Sequence, residues 1–145
     1  MKTTLTFIGI VIFTNVFGQN LKEHQWKNRV LIIQAVSESS VRYKEQLKEF
    51  DGSEKALKER KIVLYEIVGD RIRFTDYQNE KPRRSWEVAD TSNLKGFDSD
   101  DQFNIRLIGL DGGTKLKKTE PLKKNELFQL IDTMPMRMRE LKNKQ

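Results

Sequence analysis

The chain has 145 residues, 33% of them charged and 37% hydrophobic, with 27 Lys and Arg against 21 Asp and Glu for a net charge of +6. It contains no cysteine and one histidine, which excludes thiol redox chemistry, disulfides, cysteine-ligated zinc and multi-histidine metal centres. Acidic and basic residues are interspersed almost everywhere, and the absence of a clean basic stripe argues against nucleic acid as the partner.

The opening "MKTTLTFIGIVIFTNVFG" has the layout of a secretory signal peptide. Lys2 gives a positive start, Leu5 to Phe17 is a short apolar run, and Val16-Phe17-Gly18 places small residues at the two cleavage-deciding positions. A membrane anchor needs about 20 apolar residues, and Thr14-Asn15 interrupts a run that is already too short. No cysteine exists to carry a lipid. The expectation is cleavage after residue 18, export to the periplasm or beyond the cell, and no stable membrane insertion afterwards. Residues 19–145 then form a single domain, which must rest on its apolar core in the absence of disulfides.

"VLIIQAV", Val30 to Val36, is apolar throughout and reads as a central strand covered on both faces. Ser37, Ser39 and Ser40 follow as N-caps for a helix in which Tyr43, Leu47 and Phe50 recur at helical spacing. Ser53 caps a second short helical piece, "EKALKERK". "IVLYEIV", Ile62 to Val68, is the second buried strand and completes a βαβ unit. Gly69-Asp70 turns into "RIRFTDY", where alternating Ile72 and Phe74 predict a weaker edge strand. Residues 76–102 show no sustained period and read as a long loop or insertion, with a short helix near Ser92 to Phe97.

"FNIRLIGL", Phe103 to Leu110, is the third strong strand. Asp111, Gly112 and Gly113 turn it into "TKLKK" as a β-hairpin. From Pro121 onward Leu127, Leu130, Ile131, Met134, Met138 and Leu141 share one stripe of an amphipathic helix. Pro135 lacks an N–H and crowds the carbonyl of Ile131, so this helix should break near Met134 and restart at Pro135. Arg137 and Arg139 are then placed to meet carbonyls exposed at the break or acidic groups elsewhere.

A βαβ unit, a hairpin and a terminal helix packed on a central sheet outline a thioredoxin-like α/β fold. The segments "LKEHQWKNRVLIIQA", "LIGLDGGTKL" and "ELFQLIDTMPMRMRE" resemble a bacterial domain-of-unknown-function family, the prokaryotic branch of the DUDES domains, whose animal members are secreted and matrix-associated. The signature residues are Asp111, Gly112 and Gly113 in the hairpin and Asp132, Met134, Pro135, Met136 and Arg137 near the C-terminus. The resemblance covers nearly the whole exported chain and implies a cysteine-free thioredoxin-like domain with no agreed activity. Leu110 departs from the pattern, since a basic residue often stands there.

The position of the reactive thiol in thioredoxin-like enzymes is held here by "SESS". A serine nucleophile needs a base, and His24 lies upstream of the strand without a G-x-S-x-G turn, so helix capping or holding a small anion is the better reading of Ser37, Ser39 and Ser40. His24 is expected to make a local hydrogen bond while Trp26 packs under the first strand. Asp98, Asp100 and Asp101 lack the spacing of a calcium loop and read as a solvated turn. The most suggestive surface group is "EKPRRSW": Lys81, Arg83 and Arg84 offer charge beside the stacking face of Trp86. No catalytic residue, metal or cofactor is expected. The chain reads as an exported, non-catalytic binding module for an anionic envelope or matrix component or for a protein. A cysteine-independent Ser/His or carboxylate enzyme and a structural subunit of an envelope assembly are the alternatives.

Overall fold

A computed structural model describes residues 21–80, 82, 83, 85–88 and 102–144. The expected leader, Lys81, Arg84, the aspartates at 98, 100 and 101 and the short helix near 92–97 lie outside the described residues. Six strands form one sheet: β1 (Arg29–Ala35), β2 (Ile62–Val68), β3 (Arg71–Asp76), β4 (Glu87–Val88), β5 (Phe103–Ile108) and β6 (Thr114–Lys118). Their order is β4-β3-β2-β1-β5-β6. Among the described residues only β1 and β2 are parallel; every other pairing is antiparallel. Helices packed with this sheet include α1 (Val41–Phe50), α2 (Glu54–Glu59), α3 (Lys124–Asp132) and α4 (Pro135–Lys142).

The apolar runs at 30–35 and 62–68 sit mid-sheet because both faces of these strands are covered. Leu31, Ile33, Ala35, Ile62, Leu64 and Val68 face a cluster that includes Tyr43 and Phe50 from α1, Leu57 from α2 and Leu127 and Ile131 from α3. Val30, Ile32, Val63, Tyr65 and Ile67 face a second cluster with Leu21, Ile72 and Phe74. Gly69, at φ 59°, makes the two-residue turn that pairs Val68 with Arg71, a left-handed conformation suited to glycine. Gly112, at φ 81°, does the same work in the β5–β6 turn.

Several expectations need correction. Val36 is 58% exposed, and β1 ends one residue earlier. β3 is not the edge of the sheet, because β4 pairs beyond it at Arg71 and Ile72. The 76–102 stretch contains that strand and a bridge from Arg83 to Thr75, so part of it is ordered by the sheet rather than by any period of its own. The last element starts at Lys124, not at Pro121. Among the described residues no helix is long and apolar enough to cross a membrane.

One buried polar residue interrupts the apolar strands. Glu66, in the middle of β2, has no solvent exposure. It accepts hydrogen bonds from Tyr43 Oη (2.7 Å), Arg73 Nε and Nη2 (3.0 and 2.9 Å) and Arg83 Nη2 (3.0 Å). Burial pushes its pKa up, but the donors from Arg73 and Tyr43 outweigh burial and hold the carboxyl below its ordinary value. Asp132 is likewise held low, burial being outweighed by Arg60 and Arg137. Carboxyls of this kind stabilise the fold fully above their unfolded pKa of about 4 and lose that contribution as pH falls through the lower folded value. We therefore expect stability to decline below about pH 4, with a shallower acid limb in Glu66→Gln. At pH 7 that substitution should cost about 3 kcal/mol, because the arginines lose a buried counter-charge. Half-exposed Arg83→Gln should cost no more than about 1 kcal/mol. Urea denaturation across pH checks both.

Candidate functional site

Of the surface group predicted around residue 83, the described residues Arg83 and Trp86 are engaged within the fold. Arg83 is half-exposed and paired with Glu66. Trp86 is half-buried, with the guanidinium of Arg73 4.1 Å and that of Arg71 5.1 Å from its ring centre. These contacts tie the β3–β4 edge together and give the charge on Arg83 and Arg73 a counter-ion inside the protein.

The serines take up their predicted place before α1 but not the predicted bonding. Ser40 is the N-cap residue of α1 without a side-chain cap bond; Ser37 Oγ instead accepts from the Ser39 amide at 3.1 Å. His24 faces other partners altogether, with Nδ1 3.3 Å from Asn28 Oδ1 and Nε2 2.8 Å from Tyr65 Oη. The nearest hydroxyl to the histidine is thus a buried phenol, not a serine. Trp26 does not pack under β1. It is 64% exposed at φ 65°, and its backbone N–H is fixed 2.7 Å from the Leu110 carbonyl.

The C-terminal signature behaves partly as expected. α3 ends at Asp132, Met134 is extended at φ −69° and ψ 137°, and Pro135 opens α4. The stripe stops there, for Met138 and Leu141 are exposed. Arg137 takes the inward place, with only 1% of its surface exposed. Its Nε donates to Asp132 Oδ1 (3.1 Å), Nη1 to the Glu59 carbonyl (3.1 Å) and Glu140 Oε2 (3.3 Å), and Nη2 to Glu59 Oε1 (3.0 Å). Burial pulls its pKa down, but the bonds to Asp132, Glu59 and Glu140 raise it overall. Arg60 completes the cluster by holding Asp132 through Nε (3.1 Å) and Nη2 (2.6 Å). A planar fork with five N–H groups suits this convergence of acceptors.

A second buried guanidinium, Arg29 at the start of β1, lies beside this cluster. Its Nη1 donates to the Arg60 carbonyl at 2.8 Å and lies 3.4 Å from both oxygens of Glu140. Its Nε has no partner, and an unpartnered buried N–H costs about 1–3 kcal/mol. Burial lowers the Arg29 pKa, with Glu140 opposing the shift.

Arg29 lines a cavity of about 420 Å³. On one side stand Gly109, Leu110, Asp111 and Lys115 from the hairpin, and on the other Leu130, Thr133, Met134, Pro135 and Met136 from the helix break. The hairpin wall is stiff. Gly109 N–H donates to the Gly113 carbonyl (2.8 Å), Gly113 N–H to Asp111 Oδ1 (3.0 Å) and Lys115 Nζ to Asp111 Oδ2 (2.7 Å). The bond from Lys115 and that from the Gly113 amide hold the Asp111 carboxyl below its usual range. The two signature segments, about twenty residues apart in sequence, are therefore opposite walls of one cavity. The sequence assigns these segments to structure and, although it draws notice to Arg29, Leu110 and Leu130 separately, does not join them in one site; the local signal was an arginine opening an apolar strand.

Other concavities are less suited to a ligand. A groove of about 480 Å³ between α1 and the approach to α3 has its carboxylate, Glu49, already bonded to the Lys124 amide at 3.0 Å. A smaller cavity of about 260 Å³ lined by Glu23, His24, Tyr65, Asp76 and Glu87 has its histidine committed to Asn28 and Tyr65. Among the described residues no group of three or more His, Asp or Glu could hold a metal ion.

The family model described as a domain of unknown function, DUF4174, matches residues 20–140. No curated protein matches the chain. The chain belongs to the DUF4174 family.

Removing Arg137 should expose how far the cavity wall depends on it. Arg137→Met removes the buried partner shared by Asp132, Glu59 and Glu140, which come from three different helices, and should cost about 3–5 kcal/mol. Exposed Met138→Ala, on the next residue, should stay within about 0.5 kcal/mol. Paired urea denaturation curves measure the contrast.

Proposed function

We propose that this DUF4174 member is an exported, non-catalytic binding module that holds its ligand between the hairpin turn and the break separating α3 from α4. The observation that carries this reading is the convergence of the two signature segments on one cavity with a buried arginine in its wall. A cavity of about 420 Å³ is within the usual range for small-molecule sites. The thioredoxin-like part of the reading is supported by β1-α1-β2 with β5 joined antiparallel to β1 and β6 antiparallel to β5, although β3 and β4 occupy the stretch between the two halves. The natural partner is an anionic envelope or matrix component or a protein carrying such a group, a reading the resemblance to secreted matrix-associated proteins also favours.

A second reading keeps the β3–β4 edge as a polyanion surface. It is favoured by the half-exposed Trp86 ring and the half-exposed Arg83, with Lys81 and Arg84 in the same segment. The internal counter-ion Glu66 weighs against it, because an anion arriving there must compete with a carboxylate already bonded to both arginines.

Amide-detected NMR with a small-fragment library separates the two readings. Binding at the cavity should move the amides of Gly109, Leu110, Lys115, Met134 and Met136 together. Shifts confined to Arg83, Trp86 and their neighbours on addition of a sulfated oligosaccharide would instead favour the edge. Export is tested by mass spectrometry of the native protein: the N-terminus should be residue 19, and protein still beginning at Met1 contradicts it.

A further inference from the structure

We propose that the cavity receives a singly charged carboxylate on an apolar body, its headgroup held by Arg29 and the first amides of α4. The inference rests on the reading above that this cavity is the ligand site, and it adds the chemistry of what enters. Two independent features specify a negative head. Arg29 is 1% exposed, lines the cavity and leaves Nε–H without an acceptor. The eight-residue helix α4 begins at the same cavity, and no side chain caps it. Its first residue is proline, so the Met136 amide is the first donor, at the helix end where the backbone dipoles favour an anion.

The remaining groups limit the size and charge of that head. Lys115 is bound to Asp111, and Glu140 stands at Arg29 Nη1. A doubly charged phosphate would meet both of these carboxylates, whereas a single carboxylate matches the one Arg29 donor, Nε–H, left without an acceptor. Beyond the head, Leu110, Leu130, Met134 and Met136 supply apolar wall. The thioethers are flexible and polarisable, and adapt to a chain of varied shape. A medium-chain fatty acid or a peptide C-terminus ending in an apolar residue has this chemistry.

Octanoate and octan-1-ol share an apolar chain and differ in the head. Each is titrated into the purified full chain at pH 7, with the amides of Leu110, Lys115, Met134 and Met136 followed by NMR. Octanoate should bind at these amides about tenfold or more tighter than the alcohol, a difference of about 1.4 kcal/mol. Met136→Glu places a competing carboxylate in the first turn of α4, where acidic residues favour the helix. It should weaken octanoate about tenfold or more beyond any weakening of the alcohol, which loses only the thioether contact. Equal affinities for the two probes would overturn the carboxylate inference and leave the cavity standing as a ligand site. No movement of these amides with either probe, or movement only elsewhere, would overturn both. A short acyl-peptide series with free or amidated C-termini then tells a fatty acid from a peptide end.

Discussion

A guanidinium without access to water needs an acceptor for its N–H groups, and the C-terminal third of this protein is arranged around that need. Arg137 draws Asp132 from the end of α3, Glu59 from the end of α2 and Glu140 from its own helix. These contacts require α4 to turn off the line of α3, so the break at Met134 is held from within as well as imposed by Pro135. They also anchor α4 to the α2–β2 junction, where Lys61 sits at φ 53° and Glu140 reaches both Lys61 and Arg29. The cavity is the space left when a helix is bent away from a rigid hairpin. Its shape depends on the charge cluster beneath it.

Charge is placed differently at the other buried site. Glu66 lies under α1 with Tyr43, Arg73 and Arg83 converging on it, and each of those donors finds its acceptor inside the protein. The β3–β4 edge is thereby fastened to the core, and its arginines have little unsatisfied attraction for an outside anion. Arg29 differs in kind. It is equally buried, yet one donor remains unmatched, and the uncapped start of α4 lies across the same space. The contrast between satisfied and unsatisfied donors, rather than the density of basic residues along the sequence, is what directs the functional reading toward the cavity.

Local chemistry made part of this legible. Continuous apolar runs marked β1, β2 and β5, Asp-Gly-Gly marked a turn, and proline within a helical stripe marked the break, because each follows from residues adjacent in the chain. What depended on distant partners was not legible. The proline break puts Arg137 where it can meet carbonyls or acidic groups, but nothing local names Glu59, more than seventy residues earlier, as a partner. Glu66 is the lone acid in an apolar strand, but nothing local says that it is paired or that Arg83 supplies a partner. β4 is only two residues long and has no period to detect. Trp26 reads as packing under the first strand, whereas its ring is exposed and its backbone N–H bonds to the Leu110 carbonyl.

The dependence of the cavity wall on the buried fork is tested most directly by native-state hydrogen exchange in wild type and Arg137→Lys. Lysine keeps the charge but cannot reach three acceptors in one plane. The account predicts that amides from Met138 to Lys142 lose most of their protection while those of β1, β2 and β5 keep theirs, as a locally opened α4 requires. Unchanged protection in α4 would contradict it, and would mean that packing at the proline break holds the wall without the buried charge.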